Sequence, residues 1–277
     1  MSEHPRTVLR QLEQRARKRF GQHFLHDDHL VDRIVRASRI RPGERVLEIG
    51  PGLGILTRAL RRAEAEVTAL ELDRDLAAYL REAIPEVSLV EGDALKVDLE
   101  ELCPGTGWKV VANLPYNVGT HVLMRLLREP GRFASVSVML QQEVVDRLMA
   151  APNSKAWGAL SLEAQCRGLP VYLLRVPPGA FHPPPKVVSG VVRFDVYPEP
   201  QTGGVDPAWF DAVVRAAFSQ RRKTLPNSLA ARFGRDRARA ALASVDIDPQ
   251  SRAEALNLEE FTLLAAALAR DESPSEA

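Results

Sequence analysis

Val46-Leu47-Glu48-Ile49-Gly50-Pro51-Gly52-Leu53-Gly54 decides the fold of this chain. A short run of strand character passes directly into a G-x-G-x-G loop, after which Leu56, Leu60 and Ala63 resume helical spacing. Strand, glycine loop and helix form the opening unit of an α/β domain. The glycines let the backbone approach a ligand closely, and the helix presents its positive N-terminal end to it. Upstream, Leu30, Val31, Ile34 and Val35 recur at helical spacing, and Pro42-Gly43 closes that helix. Downstream, strands are expected over 67–72, 87–90, 109–112 and 135–140, and helices over 73–83, 117–127 and 143–150. This alternation implies a parallel, doubly wound, Rossmann-like sheet. The runs 171–176 and 187–196 bracket a proline-rich turn and are expected to pair antiparallel at the sheet edge.

The pattern breaks at Tyr197-Pro198-Glu199-Pro200-Gln201-Thr202-Gly203-Gly204. Beyond it, 206–218, 226–233, 235–244 and 259–269 read as helices, and 271–277 reads as a disordered tail. The expected organisation is a basic arm over 1–26, an α/β domain over 27–199, a linker over 200–204 and a smaller helical domain over 205–277. A length of 277 residues suits two such domains, and 45% apolar with 26% charged residues is a globular balance. No apolar run has signal-peptide or membrane-spanning length, so a cytoplasmic protein is expected. Cys103 and Cys166 lack disulfide or zinc spacing, so no metal is expected. The net charge of +1 hides two basic clusters: Arg6, Arg10, Arg15, Arg17, Lys18 and Arg19, then Arg215, Arg221, Arg222, Lys223, Arg232, Arg235, Arg237 and Arg239. Charge alone fits either a nucleic-acid surface or solvated helix faces.

The strand ends carry the chemistry. Gly50, Gly52 and Gly54 suit a nucleoside cofactor, Glu71 ends the second strand where a carboxylate can accept both ribose hydroxyls, and Asp93 follows the third where it can read an adenine edge. These groups alone leave NAD open. Asn113-Leu114-Pro115-Tyr116, after the fourth strand, narrows the reaction. The lone pair of an adenine amine is conjugated into its ring. The Asn113 oxygen and the Leu114 carbonyl can accept the two amine hydrogens and turn that lone pair toward a sulfonium methyl. The expected cofactor is therefore S-adenosylmethionine. Pro115 stiffens the turn, and Tyr116 offers a ring face to a flipped base. Phe181, in the proline-rich turn, is a candidate for the other face, although a lone Phe is more often core than clamp. His182 receives no role, and nothing in the chemistry of Gln22-His23-Phe24-Leu25 marks it as functional.

Together with Lys18-Arg19-Phe20-Gly21-Gln22-His23-Phe24-Leu25, Pro152-Asn153-Ser154-Lys155-Ala156 and Phe181-His182-Pro183-Pro184-Pro185-Lys186-Val187, these strings resemble the KsgA family of ribosomal RNA adenine dimethyltransferases over nearly the whole chain. The resemblance implies a methyl-donor site lined by His23, Leu25, Gly50, Glu71, Asp93 and Asn113. It also implies dimethylation of two adjacent adenosines in the 3′-terminal hairpin of 16S ribosomal RNA, with an immature 30S particle as partner; a monomer is expected, although the sequence itself does not give the oligomeric state. Arg17, Lys18 and Arg19 with Arg221, Arg222 and Lys223 are the expected phosphate contacts. Two residues depart from the family pattern: His23 stands where many relatives carry Asn, and Pro226 where Arg is common. Large-subunit methylases that confer antibiotic resistance share the cofactor motifs. Gly50-Pro51-Gly52, Leu114 and Gln220-Arg221-Arg222-Lys223-Thr224-Leu225-Pro226-Asn227-Ser228-Leu229 instead look like the small-subunit enzymes. A non-catalytic assembly factor on the same scaffold would not need the intact donor site and tetrapeptide.

Overall fold

The computed structural model describes residues 7–8, 23–220 and 222–270. Strands β2 (Arg45–Ile49), β3 (Glu66–Glu71), β4 (Ser88–Glu91), β5 (Trp108–Asn113) and β6 (Phe133–Gln141) run parallel, as each pair's register shows. β9 (Ser189–Val196) joins β6 antiparallel and β7 (Gly168–Val176) lies beyond it, giving the order β4-β3-β2-β5-β6-β9-β7. A separate two-stranded ribbon pairs β1 (Phe24–Leu25) with β8 (Phe181–His182). Val46, Leu47, Val110, Val111, Val136 and Val138 are all buried, as central strands covered on both faces require.

Helix α1 (Asp28–Ala37) starts where the Asp27 carboxylate accepts the Leu30 amide. The crossovers are α2 (Ile55–Arg62), α3 (Arg74–Ala83, capped by Asp73), the short α4 (Leu99–Leu102) and α5 (Gly119–Leu127). From β2 the chain moves outward to β3 and β4, then returns on the other side of β2 as β5. Connections leave β2 and β5 in opposite directions, so a crevice opens at their carboxyl ends. Helix α6 (Gln142–Leu148) follows β6.

Contacts divide the chain into two units, residues 1–145 with 170–198, and residues 146–169 with those from 199 onward. The second unit contains α7 (Ala159–Gln165), α8 (Pro207–Ala217), α9 (Leu225–Phe233), α10 (Arg235–Ser244) and α11 (Leu258–Arg270). Its core joins Trp157, Leu162 and Cys166 to Phe210, Leu229 and Phe261, and the Trp157 indole donates to the Leu256 carbonyl at 3.0 Å. The break after Pro198 lies beside the linker read from sequence. Residues 146–169, expected in the first domain, group instead with the helices, because their apolar side chains find partners there.

A buried ion cluster fastens this segment. Arg167, 2% exposed, donates to the Glu163 carbonyl at 2.6 Å and to Asp211 Oδ2 at 3.0 Å, and Arg215 pairs with the Glu163 carboxylate at 2.8 Å. Arg167→Ala would leave Asp211 buried beside a lost partner, at a cost of about 3–5 kcal/mol. Urea unfolding of the variant should show that loss as a lower midpoint.

Candidate active site

The site is built from strand ends in the first unit. Glu71, the last residue of β3, is 6% exposed, and its two oxygens accept the amides of Gly52 at 3.1 Å and Asp73 at 2.9 Å. It thereby ties the glycine loop after β2 to the turn after β3. Burial raises its pKa, and the backbone amides act against that rise. Each carboxylate oxygen keeps acceptor capacity for a ligand hydroxyl. At Gly52, φ is +60° and a Cβ would stand 3.2 Å from the Phe24 ring, so a side chain there would push against β1. Asp93 follows β4 and holds the Leu95 amide at 2.9 Å.

Glu48, on β2, is the most confined acid in the cavity. It is 1% exposed, neither of its oxygens has a partner in hydrogen-bond geometry, and burial pushes its pKa up to about 8, opposed by the nearby Thr57 hydroxyl and aided by Glu71. Leu72 and Leu95 stay exposed on the cavity wall beside Glu71 and Asp93, Leu72 by 51%.

Asn113 closes β5. Its Nδ2 donates to the His23 carbonyl at 3.2 Å, which leaves Oδ1 as the acceptor side of the amide. His23 is itself fixed by Nδ1 against the Pro183 carbonyl at 2.7 Å, and its ring stacks on Tyr116 with centroids 5.7 Å apart. The Tyr116 hydroxyl meets Ser189 Oγ at 2.6 Å. Burial raises the phenol pKa and the Ser189 bond opposes the shift. Pro115 shapes the turn, its carbonyl accepting the Gly119 amide at 2.8 Å.

His23, Leu25, Gly50, Gly52, Glu71, Asp93, Asn113, Leu114, Pro115 and Tyr116 all line one cavity. Phe181 does not, which corrects its expected place over the base. Paired with Leu25 across the ribbon, it is 3% exposed and packs into the core with Leu25, Ile34 and Val176. Among the expected phosphate contacts, Arg222 and Lys223 are exposed between α8 and α9, whereas Arg17, Lys18, Arg19 and Arg221 lie outside the described residues. Pro226 is buried in the first turn of α9, a helix-starting role. Cys103 and Cys166 are buried, and burial pushes both thiols up to about 12. Among the described residues no group of His, Cys, Asp or Glu could hold a metal ion, and no helix is long and apolar enough to cross a membrane.

Sequence reading missed Glu48, Ser189, Leu72 and Leu95 as site residues. Glu48 carried a signal, a charged residue inside an apolar strand, and the leucines directly follow or flank the strand-end acids. Ser189 carried none, because only the pairing of β9 with β6 brings it to Tyr116.

Residues 13–270 match the family described as ribosomal RNA adenine dimethylase. The chain belongs to that family. Its relatives include the Ribosomal RNA small subunit methyltransferase A of Syntrophotalea carbinolica, 47% identical over 253 residues that cover 91% of this chain and 96% of that protein. The protein of the same name from Pseudomonas aeruginosa is 44% identical over 259 residues, covering 92% and 95%. Among solved structures, a dimethyladenosine transferase from Plasmodium falciparum shares the fold with a TM-score of 0.79 at 22% identity, over 90% of this chain and 98% of that one. The 23S rRNA methyltransferase ErmE reaches 0.67 at 25% identity, over 89% and 99%. The cofactor of this dimethylase family is S-adenosylmethionine. The glycine cradle, the spare acceptor capacity of Glu71, the exposed leucines and the unpartnered Glu48 fit a cationic nucleoside of that kind.

Glu48 also makes stability depend on pH. Its native pKa of about 8 lies above the ordinary 4.5, so its contribution is complete below 4.5 and is lost as pH rises through 8. Glu48→Gln carries no charge to bury. The thermal midpoint of the donor-free variant, relative to the parent, should improve steadily between about pH 5 and about pH 8, which scanning calorimetry at the two values checks.

Proposed function

We propose that this chain dimethylates the N6 amines of two adjacent adenosines in the 3′-terminal hairpin of 16S ribosomal RNA, acting as a cytoplasmic monomer on an immature 30S particle. The observation that carries this reading is the tethered amide of Asn113: with Nδ2 held by the His23 carbonyl, Oδ1 is left to accept an amine hydrogen at the strand-order reversal. The names of the relatives support a small-subunit substrate over a large-subunit one.

Bound S-adenosylmethionine supplies an electrophilic methyl on its sulfonium. Glu71 accepts the ribose hydroxyls, Asp93 the edge of the nucleoside base, and Leu72 and Leu95 give that base apolar surface. Asn113 Oδ1 and the Leu114 carbonyl accept the two hydrogens of the target amine, drawing the nitrogen toward tetrahedral geometry with its lone pair outward. The Tyr116 ring, steadied by Ser189, stabilises positive charge that develops on the base. One amine proton then leaves to water. No side chain has to act as a tuned general base in this scheme. Arg222 and Lys223, with the basic arm at Arg17, Lys18 and Arg19 and with Arg221, bind phosphates and orient the RNA without reading its sequence.

Labelled methyl incorporation into unmethylated 30S particles, naked 16S RNA and 50S particles, followed by mapping of dimethyladenosine, tests the substrate. Transfer chiefly to 50S particles would reject it. Asn113→Ala should lower turnover by about a hundredfold or more while RNA affinity changes little, since the lost bond strengthens only as charge develops. Replacing Arg222 and Lys223 with Glu should reduce the salt dependence of RNA binding by about one unit of slope per lost phosphate contact and leave donor affinity unchanged.

A further inference from the structure

The cavity is lined by acids and by no cation, and Lys96, outside the lining, pairs with Asp93 at 3.8 Å. Among the described residues its titratable walls are Glu48, Glu71, Asp73, Asp93, His23 and Tyr116, and no lysine or arginine lines it. Glu48 is the one acid there with no partner in hydrogen-bond geometry for either oxygen. Its strand neighbours in register are Ala69 on β3 and Val111 on β5, neither of them polar. From α2 the Thr57 hydroxyl faces it and opposes the rise in its pKa, although the contact falls short of hydrogen-bond geometry. The charged group that acts on it is Glu71, which disfavours a second negative charge. A carboxyl in this setting stays protonated until a cation arrives, because charge without a partner is costly in a buried site.

We propose that Glu48 makes the cavity read the charge on the ligand's sulfur: it holds a proton when the cavity contains the neutral thioether product and releases that proton to solvent when the sulfonium donor enters. This rests on the donor occupying this cavity, as the proposed function requires. The exchange balances simply. Glu48-COOH and the cationic donor give Glu48-COO⁻, the bound cation and one proton in water. Once the methyl has gone and the sulfur is neutral, the carboxylate takes a proton back from solvent. The two ligands differ only in the sulfonium methyl and its charge, so Glu48 would favour exchange of spent product for fresh donor. An enzyme that transfers four methyls to one hairpin needs that exchange repeatedly.

Isothermal titration of the full-length protein with S-adenosylmethionine and with S-adenosylhomocysteine, in phosphate and in Tris at about pH 7, counts the protons released. With the native carboxyl near 8, close to one proton should leave per donor bound, and none per product bound. Between about pH 5.5 and pH 7.5, donor affinity should rise by nearly tenfold per unit, while product affinity stays within about twofold. Glu48→Gln should abolish both the proton release and the pH slope, and should lower the donor-to-product affinity ratio by about tenfold at pH 7.5. If that variant does not fold, the parent's two titrations decide the matter alone. Equal proton counts for the two ligands would overturn the role of Glu48 and leave the donor site standing. Failure of either ligand to bind would overturn the donor site as well.

Discussion

A single buried carboxylate clasps one side of the cavity. Glu71 lies between the amides of Gly52 and Asp73, so the loop after β2 and the turn after β3 cannot move independently. Neither loop is regular secondary structure, and without the clasp each would present unsatisfied donors to the crevice. Burying the carboxylate is unfavourable and raises its pKa, while the backbone amides around it oppose that rise and leave acceptor capacity for a hydroxyl. The glycine loop, the cap of α3 and the space beside Leu72 all take their positions from this arrangement.

The side at Asn113 and Tyr116 is held differently, by a relay of polar contacts across distant parts of the chain. Asn113 is steadied by His23, His23 by Pro183, and Tyr116 by Ser189. Strain is not needed, since each group uses its ordinary hydrogen-bonding capacity. What the relay fixes is direction, because an amide whose nitrogen is turned toward a carbonyl presents its oxygen on the other side. The Glu71 side of the cavity thus depends on adjacent parallel strands and on Phe24 packed against Gly52, whereas the Asn113 side depends on the short ribbon of β1 and β8.

That difference explains what could be read from residues alone. Val46–Ile49 and the glycine loop, the acids at Glu71 and Asp93, and Asn113-Leu114-Pro115-Tyr116 all sit at strand ends, where local periodicity gives position and residue type gives chemistry. β1 and β8 contain two residues each, too few for any period to register, and their pairing is set entirely by tertiary contacts. The same blindness hides that Phe181, paired with Leu25, packs into the core. The assignment of 146–169 failed for a related reason: a proline-containing turn interrupts the segment, and only the helical core shows where Trp157 and Cys166 belong. His23 gave no chemical signal because its part in holding Asn113 is played by its backbone carbonyl.

The relay also bears on how the molecule matures. The partners of His23 lie 90 residues away at Asn113 and 160 residues away at Pro183. Contacts of such sequence separation form late, after the local strand–helix units have collapsed. During synthesis the glycine loop and Glu71 can come together long before the proline-rich turn has left the ribosome. A nascent chain halted short of that turn would have the elements of the donor pocket but not the finished tether on Asn113. Competence to methylate would therefore come later than the ability to load the cofactor, and the order is written into the spacing of the chain.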